Sequence, residues 1–116
     1  VSGALFVPLK RQPFEAFADG SKRWEIRRQE GQWEKAMPGM QARLRLGYSG
    51  HGELRRVVGR VVVATNAASL FAEVPWYHAV PYANGPAHAA EIVHMLLRGK
   101  PEHQAALLVA IEMLEP

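Results

Sequence analysis

Apolar and polar positions alternate with a period of two through much of this 116-residue chain, which predicts several short strands. Residues 4–9, ALFVPL, read as the first. Pro8 confines it to an edge or an end, because proline has no N–H to give to a ladder. Residues 21–28 form a second strand-like stretch. Residues 40–47, MQARLRLG, form a third, with Ala42, Leu44 and Leu46 on one face and Arg43 and Arg45 on the other. The longest β signal is 54–65, LRRVVGRVVVAT, and Gly59 in its middle predicts a bulge or a barrel corner. Residues 105–114, AALLVAIEML, fit helix or strand. The β-branched Val109 and Ile111 and the shortness of the stretch decide for strand.

Three segments carry helical signals. In 13–19, PFEAFAD, Pro13 suits a first turn and Phe14 and Phe17 share a face, with Gly20 as a left-handed stop. Residues 67–73 predict a turn or two of helix behind Asn66 as cap. Residues 87–98, AHAAEIVHMLLR, are the clearest helix, because Ala89, Ile92, Val93, Leu96 and Leu97 recur on one face. Pro86 starts it and Gly99 stops it. Residues 29–39 read as a polar connection ending in a Pro38-Gly39 turn. YSGHGE should turn the chain back, and VPWYHAVPYANGP is an aromatic loop with three prolines. The order strand, helix, three strands, helices, strand is mixed. It predicts one α+β domain over 1–116, a small barrel of mixed strands with flanking helices.

Hydrophobic residues make up 48% of the chain, enough for a core without staples. The absence of cysteine excludes disulfides, thiolate metal sites and cysteine nucleophiles, and fits a reducing compartment. No apolar run is long enough to span a bilayer. The first residues, VSGALFVPLK, lack the basic start and long apolar core of a signal peptide. A cytoplasmic location and no membrane partner are the expectations. A net charge of +3 permits nucleic-acid or nucleotide partners.

The chemistry concentrates in residues 20–28, GSKRWEIRR. Strand parity puts Trp24 and Ile26 on one face, and Glu25 and Arg27 on the other. Lys22 has the wrong parity. It joins Glu25 only from the bend ahead of the strand or from a bulge. A lysine, a glutamate and an arginine around one cleft suit a polar, partly anionic ligand, or proton transfer. The alternative is a solvated edge strand with weak surface ion pairs. Desolvation would lower the pKa of Lys22 and Glu25 would raise it again, so the pair is expected to stay ionised, which favours binding over a lysine base.

The stretch PLKRQPFEAFADGSKRWEIRR, the later PGMQARLRLG and the valine strand together resemble an ASCH domain, of the PUA-like β-barrel superfamily. These domains carry a G-x-K-x-x-E-x-R motif where a short helix runs into a charged strand. Gly20, Lys22, Glu25 and Arg27 match it. The resemblance implies a PUA-like barrel closed by the terminal strand, and a cleft lined by the motif residues. It also implies a ligand that is RNA or a nucleotide- or nucleoside-like small molecule. Some bacterial relatives are amidohydrolases that remove the acyl group from acetylcytidine. Their set resembles a lysine, a threonine at the motif's glutamate position and a downstream glutamate. Lys22 matches the lysine, whereas Glu25 stands where the hydroxyl would be and the region around 78–91 differs.

Other residues extend the picture. Lys10 and Arg11 follow the first strand and suit a positive rim. Arg43, Arg45, Arg56 and Arg60 form a basic stripe that suits either a phosphate backbone or the polar outer face of the sheet. Trp76, Tyr77, His78 and Tyr82 offer a surface for stacking a base, or a plug for the barrel end. His88 and His94 are six residues apart and point away from each other on a helix, so they make no metal pair. Gly20-Ser21-Lys22 lacks the rest of a phosphate loop, and Ser49 lacks a nucleophile-elbow frame. No cofactor is expected. The sequence thus points to a binding domain for RNA or a nucleotide-like molecule, using Lys10, Lys22, Glu25, Arg27, Trp76 and Tyr82. Its alternatives are a nucleoside amidohydrolase with Lys22 and Glu25 as proton carriers, and a protein-interaction module contacting through the aromatic loop.

Overall fold

The computed structural model describes residues 3–47, 52–98 and 106–116. Strand β1 (Ala4–Leu9) leads into helix α1 (Arg11–Asp19). The helix starts two residues before Pro13, which costs nothing because first-turn N–H groups have no intrahelical partner. Gly20 ends it at φ 87°, a left-handed conformation suited to glycine. Strand β2 spans Trp24–Arg28, shorter than the 21–28 expected. The polar connection contains a 3₁₀ turn, Gly31–Lys35. Strands β3 (Gln41–Leu46) and β4 (Glu53–Ala64) follow. Helix α2 (Ala67–Phe71) is capped by Asn66, whose side chain accepts from the Ser69 amide at 2.8 Å. The aromatic loop holds a short helix, α3 (Trp76–Ala79). Helix α4 (Pro86–His94) continues as a 3₁₀ turn, Met95–Leu97, and β5 spans Leu108–Leu114. The expected stop at Gly99 and most of the YSGHGE turn lie outside the described residues.

Among the described residues five strands form one sheet in the order β1-β3-β4-β5-β2. Only β1–β3 is parallel; the other pairs are antiparallel. The last strand is therefore an interior strand, not the closing strand of a barrel, and the sheet is a curled half-barrel with edges β1 and β2. Side chains take up hydrogen-bonding groups along β1 that a sixth strand would have used. Gln32 accepts from the Phe6 amide at 3.2 Å and donates to the Phe6 carbonyl at 2.6 Å, while Arg27 donates to the Pro8 carbonyl at 2.9 Å. Pro8 has no amide to satisfy.

Gly59 does mark a bulge. Val58 pairs with Met113 and Val61 with Ile111, so β4 spends one more residue than β5 between the same rungs. The requirement is steric: a Cβ on Gly59 would sit 2.5 Å from Glu112 Oε1 and 2.9 Å from Leu114 Cδ1.

Each face of the sheet carries a core, the helix-side one over β2, β5 and the later part of β4. Trp24, Ile26, Val62 and Ala110 pack with Leu70, Ala79 and Val93 of the later helices. Leu5, Leu44, Val58 and Ile111 pack on the other face with Phe17 of α1. The parity expected of β2 holds, since Glu25 and Arg27 stand opposite Ile111 and Val109 of this second core. Among the described residues no helix is long and apolar enough to cross a membrane.

Candidate functional site

The left-handed turn at Gly20 folds the chain back on α1. The Lys22 amide and the Ser21 hydroxyl both donate to the Ala16 carbonyl, at 3.0 and 3.2 Å. Arg23 then joins neighbouring backbone, donating to the His78 carbonyl at 2.7 Å and accepting from the Met113 amide at 2.8 Å. Lys22 thus leaves the chain from the bend two residues ahead of β2, which resolves its parity conflict with Glu25.

Lys22 and Glu25 are the buried charged residues among those described, at 5% and 6% exposure. Lys22 Nζ lies 3.4 Å from Glu25 Oε1 and donates to the Ala79 carbonyl of α3. Arg27 Nε donates to Glu25 Oε2 at 2.7 Å. One carboxylate is thus held on both oxygens by two cations. The guanidinium of Arg27 also lies over the Trp33 ring, 4.7 Å from its centroid, and Lys22 Nζ lies 5.2 Å from the Phe17 centroid.

Lys22, Glu25 and Arg27 line a cavity of about 320 Å³ beside the two sheet edges. Lys10 and Tyr82 complete its polar lining; Leu9, Val80, Ile92, Val93 and Leu96 supply an apolar wall. The structure therefore brings Lys10, Lys22, Glu25, Arg27 and Tyr82 to one space. Lys10 is exposed at its rim. Trp76 is not among the lining residues. It packs against the helix-side core, edge-on to Tyr77 at 5.9 Å. The basic stripe is also rearranged: Arg43 faces Arg55 across the strands, while Arg56 pairs with Ala42 and donates to the Phe17 carbonyl. Arg60 lies over Trp24.

Burial lowers the pKa of Lys22, and the nearby Glu25 charge only partly restores it. Desolvation is therefore a larger influence on this amine than the ion pair. Burial, assisted by the Glu25 charge, pushes the Tyr82 phenol up to about 12. The phenol remains a neutral donor at neutral pH. Of the five N–H groups of Arg27, one goes to Glu25 and one to Pro8. The site is consequently rich in donors and suits a ligand that presents carbonyl or phosphate oxygens. Among the described residues no group of three His, Cys, Asp or Glu side chains is placed to hold a metal.

Three contributors escaped sequence reasoning: Gln32, Trp33 and the Ala79 carbonyl. The first two lie in a stretch without periodicity, and a main-chain carbonyl leaves no sequence signal.

No protein-family model matches the chain, and no curated protein matches it. Two solved structures share its fold. The crystal structure of hypothetical protein PH0355 is 16% identical, with a TM-score of 0.78, covering 97% of this chain and 98% of that one. The solution structure of protein PF0455 from Pyrococcus furiosus is 15% identical, with a TM-score of 0.69, covering 97% and 96%. The likeness spans essentially the full length of all three chains and concerns the fold alone.

Proposed function

We propose that the protein is an ASCH-type, PUA-like domain that binds RNA or a nucleotide-like molecule through one base held in this cavity. The observation that carries the reading is the convergence of Lys22, Glu25 and Arg27 on one cavity whose remaining lining is mostly apolar. Its volume of about 320 Å³ lies near the lower end of ligand pockets, roughly 300–1,000 Å³, which suits one nucleoside rather than a large cofactor. In this reading Arg27 and Lys22 donate to carbonyl or phosphate oxygens of the ligand. Glu25 keeps lone pairs beyond those its two cations use, and accepts from an exocyclic amine or a ribose hydroxyl. Tyr82 donates from the cavity wall, and Lys10 closes the rim. Calorimetric titration with nucleosides and their monophosphates tests this. Arg27→Ala and Lys22→Ala should each weaken binding about tenfold or more, the equivalent of ~1.4 kcal/mol. Affinity unaltered in both variants rejects the site.

A second reading rests on the depressed pKa of Lys22, which brings a neutral amine nearer to neutral pH. It makes the domain a hydrolase of an acylated nucleoside such as acetylcytidine. Lys22 or Glu25 takes a proton from water as the oxygen adds to the amide carbonyl. The same proton passes to the departing nitrogen as the C–N bond breaks, leaving acid and free amine. Protein that binds acetylcytidine and releases no cytidine from it excludes this reading.

A further inference from the structure

A second charged assembly lies on the outer side of β3 and β4, away from the cavity. Among the described residues Glu53 is the single carboxylate paired with three arginines. Arg43 Nε and Nη2 lie 3.0 and 2.9 Å from its Oε1, Arg45 Nε lies 3.7 Å from the same oxygen, and Arg55 Nε lies 3.4 Å from Oε2. Three positive charges against one negative leave the group at +2. Arg43 and Arg55 are also direct cross-strand partners. Like charges in that relation destabilise a sheet, and Glu53, the direct cross-strand partner of Arg45, offsets only part of that repulsion with its single charge. Two further observations concern donors that Glu53 does not use up. Arg45 Nε is buried and has no hydrogen-bond partner among the described residues. Arg55, by contrast, has a side chain 76% exposed.

The position of this assembly relative to the cavity is informative. A second hollow shares Pro8, Leu9, Lys10 and Arg27 with the nucleoside-sized cavity and continues to Leu46 and Gly47 at the end of β3. Arg45 and Arg43 come next, going back along that strand. A third hollow, lined by Gln41, Arg43, Arg55 and Arg56, begins at the other end of β3. Basic groups therefore line a path from Lys10 along β3, over about 17 Å of strand.

We propose that this path holds the phosphodiester backbone of a single-stranded RNA whose base occupies the cavity. The choice of RNA as occupant rests on the cavity reading above. Arg43, Arg45 and Arg55 exchange part of their hold on Glu53 for phosphate oxygens, and Glu53 keeps the three guanidinium groups gathered when no strand is bound. Short oligonucleotides then bind more tightly than free nucleosides, with a salt dependence that the nucleosides lack.

Fluorescence anisotropy with a labelled oligouridylate, read across a series of salt concentrations, tests the proposal. The double variant Arg43→Ala/Arg55→Ala should bind roughly tenfold more weakly at low salt, and its log-log salt slope should flatten by about 1.4, at about 0.7 per lost phosphate contact. Arg43→Lys/Arg55→Lys should recover most of the slope. Glu53→Gln should act oppositely, with tighter binding and a steeper slope. Thermal melting by circular dichroism accompanies each variant, and Arg43→Gln/Arg55→Gln replaces the alanine pair if that pair does not fold. An unaltered slope in the folded double variant overturns the proposal. So does wild-type protein that retains polyglutamate but not the oligouridylate. Free-nucleoside binding by Lys22→Ala reports on the cavity alone. If it persists while the arginine pair still governs oligonucleotide binding, the cavity reading fails and the backbone path stands.

Discussion

Replacing Glu25 should damage the fold far more than replacing Lys22, although the two are partners. Glu25 faces two cations, Lys22 at 3.4 Å and Arg27 at 2.7 Å, and Lys22 is 5% exposed. Glu25→Gln keeps the shape but leaves a buried ammonium beside a guanidinium with no anion between them. Removing one member of a buried pair costs about 3–5 kcal/mol. With Arg27 partly solvated, we expect ~3 kcal/mol, a fall in melting temperature of roughly 10 °C for a domain of this size. Lys22→Met leaves Glu25 still compensated by Arg27 and removes a desolvated charge, so about 0–1 kcal/mol is expected. The pH dependence gives an independent check. The folded pKa of Lys22 is depressed, and in the unfolded chain it returns to about 10.4. Between those values the unfolded state holds a proton that the folded state lacks. Stability therefore rises with pH across that window, by at most ~1.4 kcal/mol per unit. The rise should begin at lower pH in Glu25→Gln, where the restoring charge is gone, and should vanish in Lys22→Met. Urea unfolding at several pH values measures all three proteins. A Lys22→Met protein less stable than Glu25→Gln, or one that keeps the alkaline rise, refutes the reasoning.

Two further outcomes follow from the structure. In an ultraviolet titration Tyr82 should ionise about two pH units above an ordinary phenol, since it is held at about 12. Between about 10 and 12 the folded state keeps a proton that the unfolded state has lost, so this residue makes stability fall with rising pH. The component near 12 should be missing from Tyr82→Phe, and titration curves of the two proteins that coincide around pH 12 contradict the assignment. Gly59→Ala should cost about 1–3 kcal/mol by overpacking the bulge; an unchanged denaturation midpoint would show that Glu112 and Leu114 yield without penalty.

How much was legible depended on which residues carried periodicity. The alternation in 40–47 and 54–65 located β3 and β4, and Gly59 announced the bulge, because these signals are local. Phe14, Phe17 and Gly20 likewise located α1 and its stop. Lys22 could be placed only conditionally, since its parity excluded it from a straight strand with Glu25; the Ser21 and Lys22 bonds to Ala16 met the condition. Sheet order was not legible, because which strands become edges depends on pairings between distant segments. The balance of forces on Lys22 was not legible either. It depends on how completely Phe17, Ala79 and Glu25 exclude water, and Ala79 is 57 residues away. Tyr82 was singled out as a surface for stacking, while its phenol is governed by burial and the charge of Glu25. Trp76, from the same loop, turned to the helix-side core because α3 sets its direction.

The pair of hydrogen bonds between Gln32 and Phe6 has a consequence for how copies of this molecule behave toward one another. An uncovered strand margin is an invitation to a foreign chain, which can extend the sheet by lending its own backbone. Here a lone amide side chain imitates such a visitor, filling one donor place and one acceptor place at the centre of β1. Solitude at this margin is therefore guarded by a residue outside the sheet, in a segment whose sequence gives no hint of the duty.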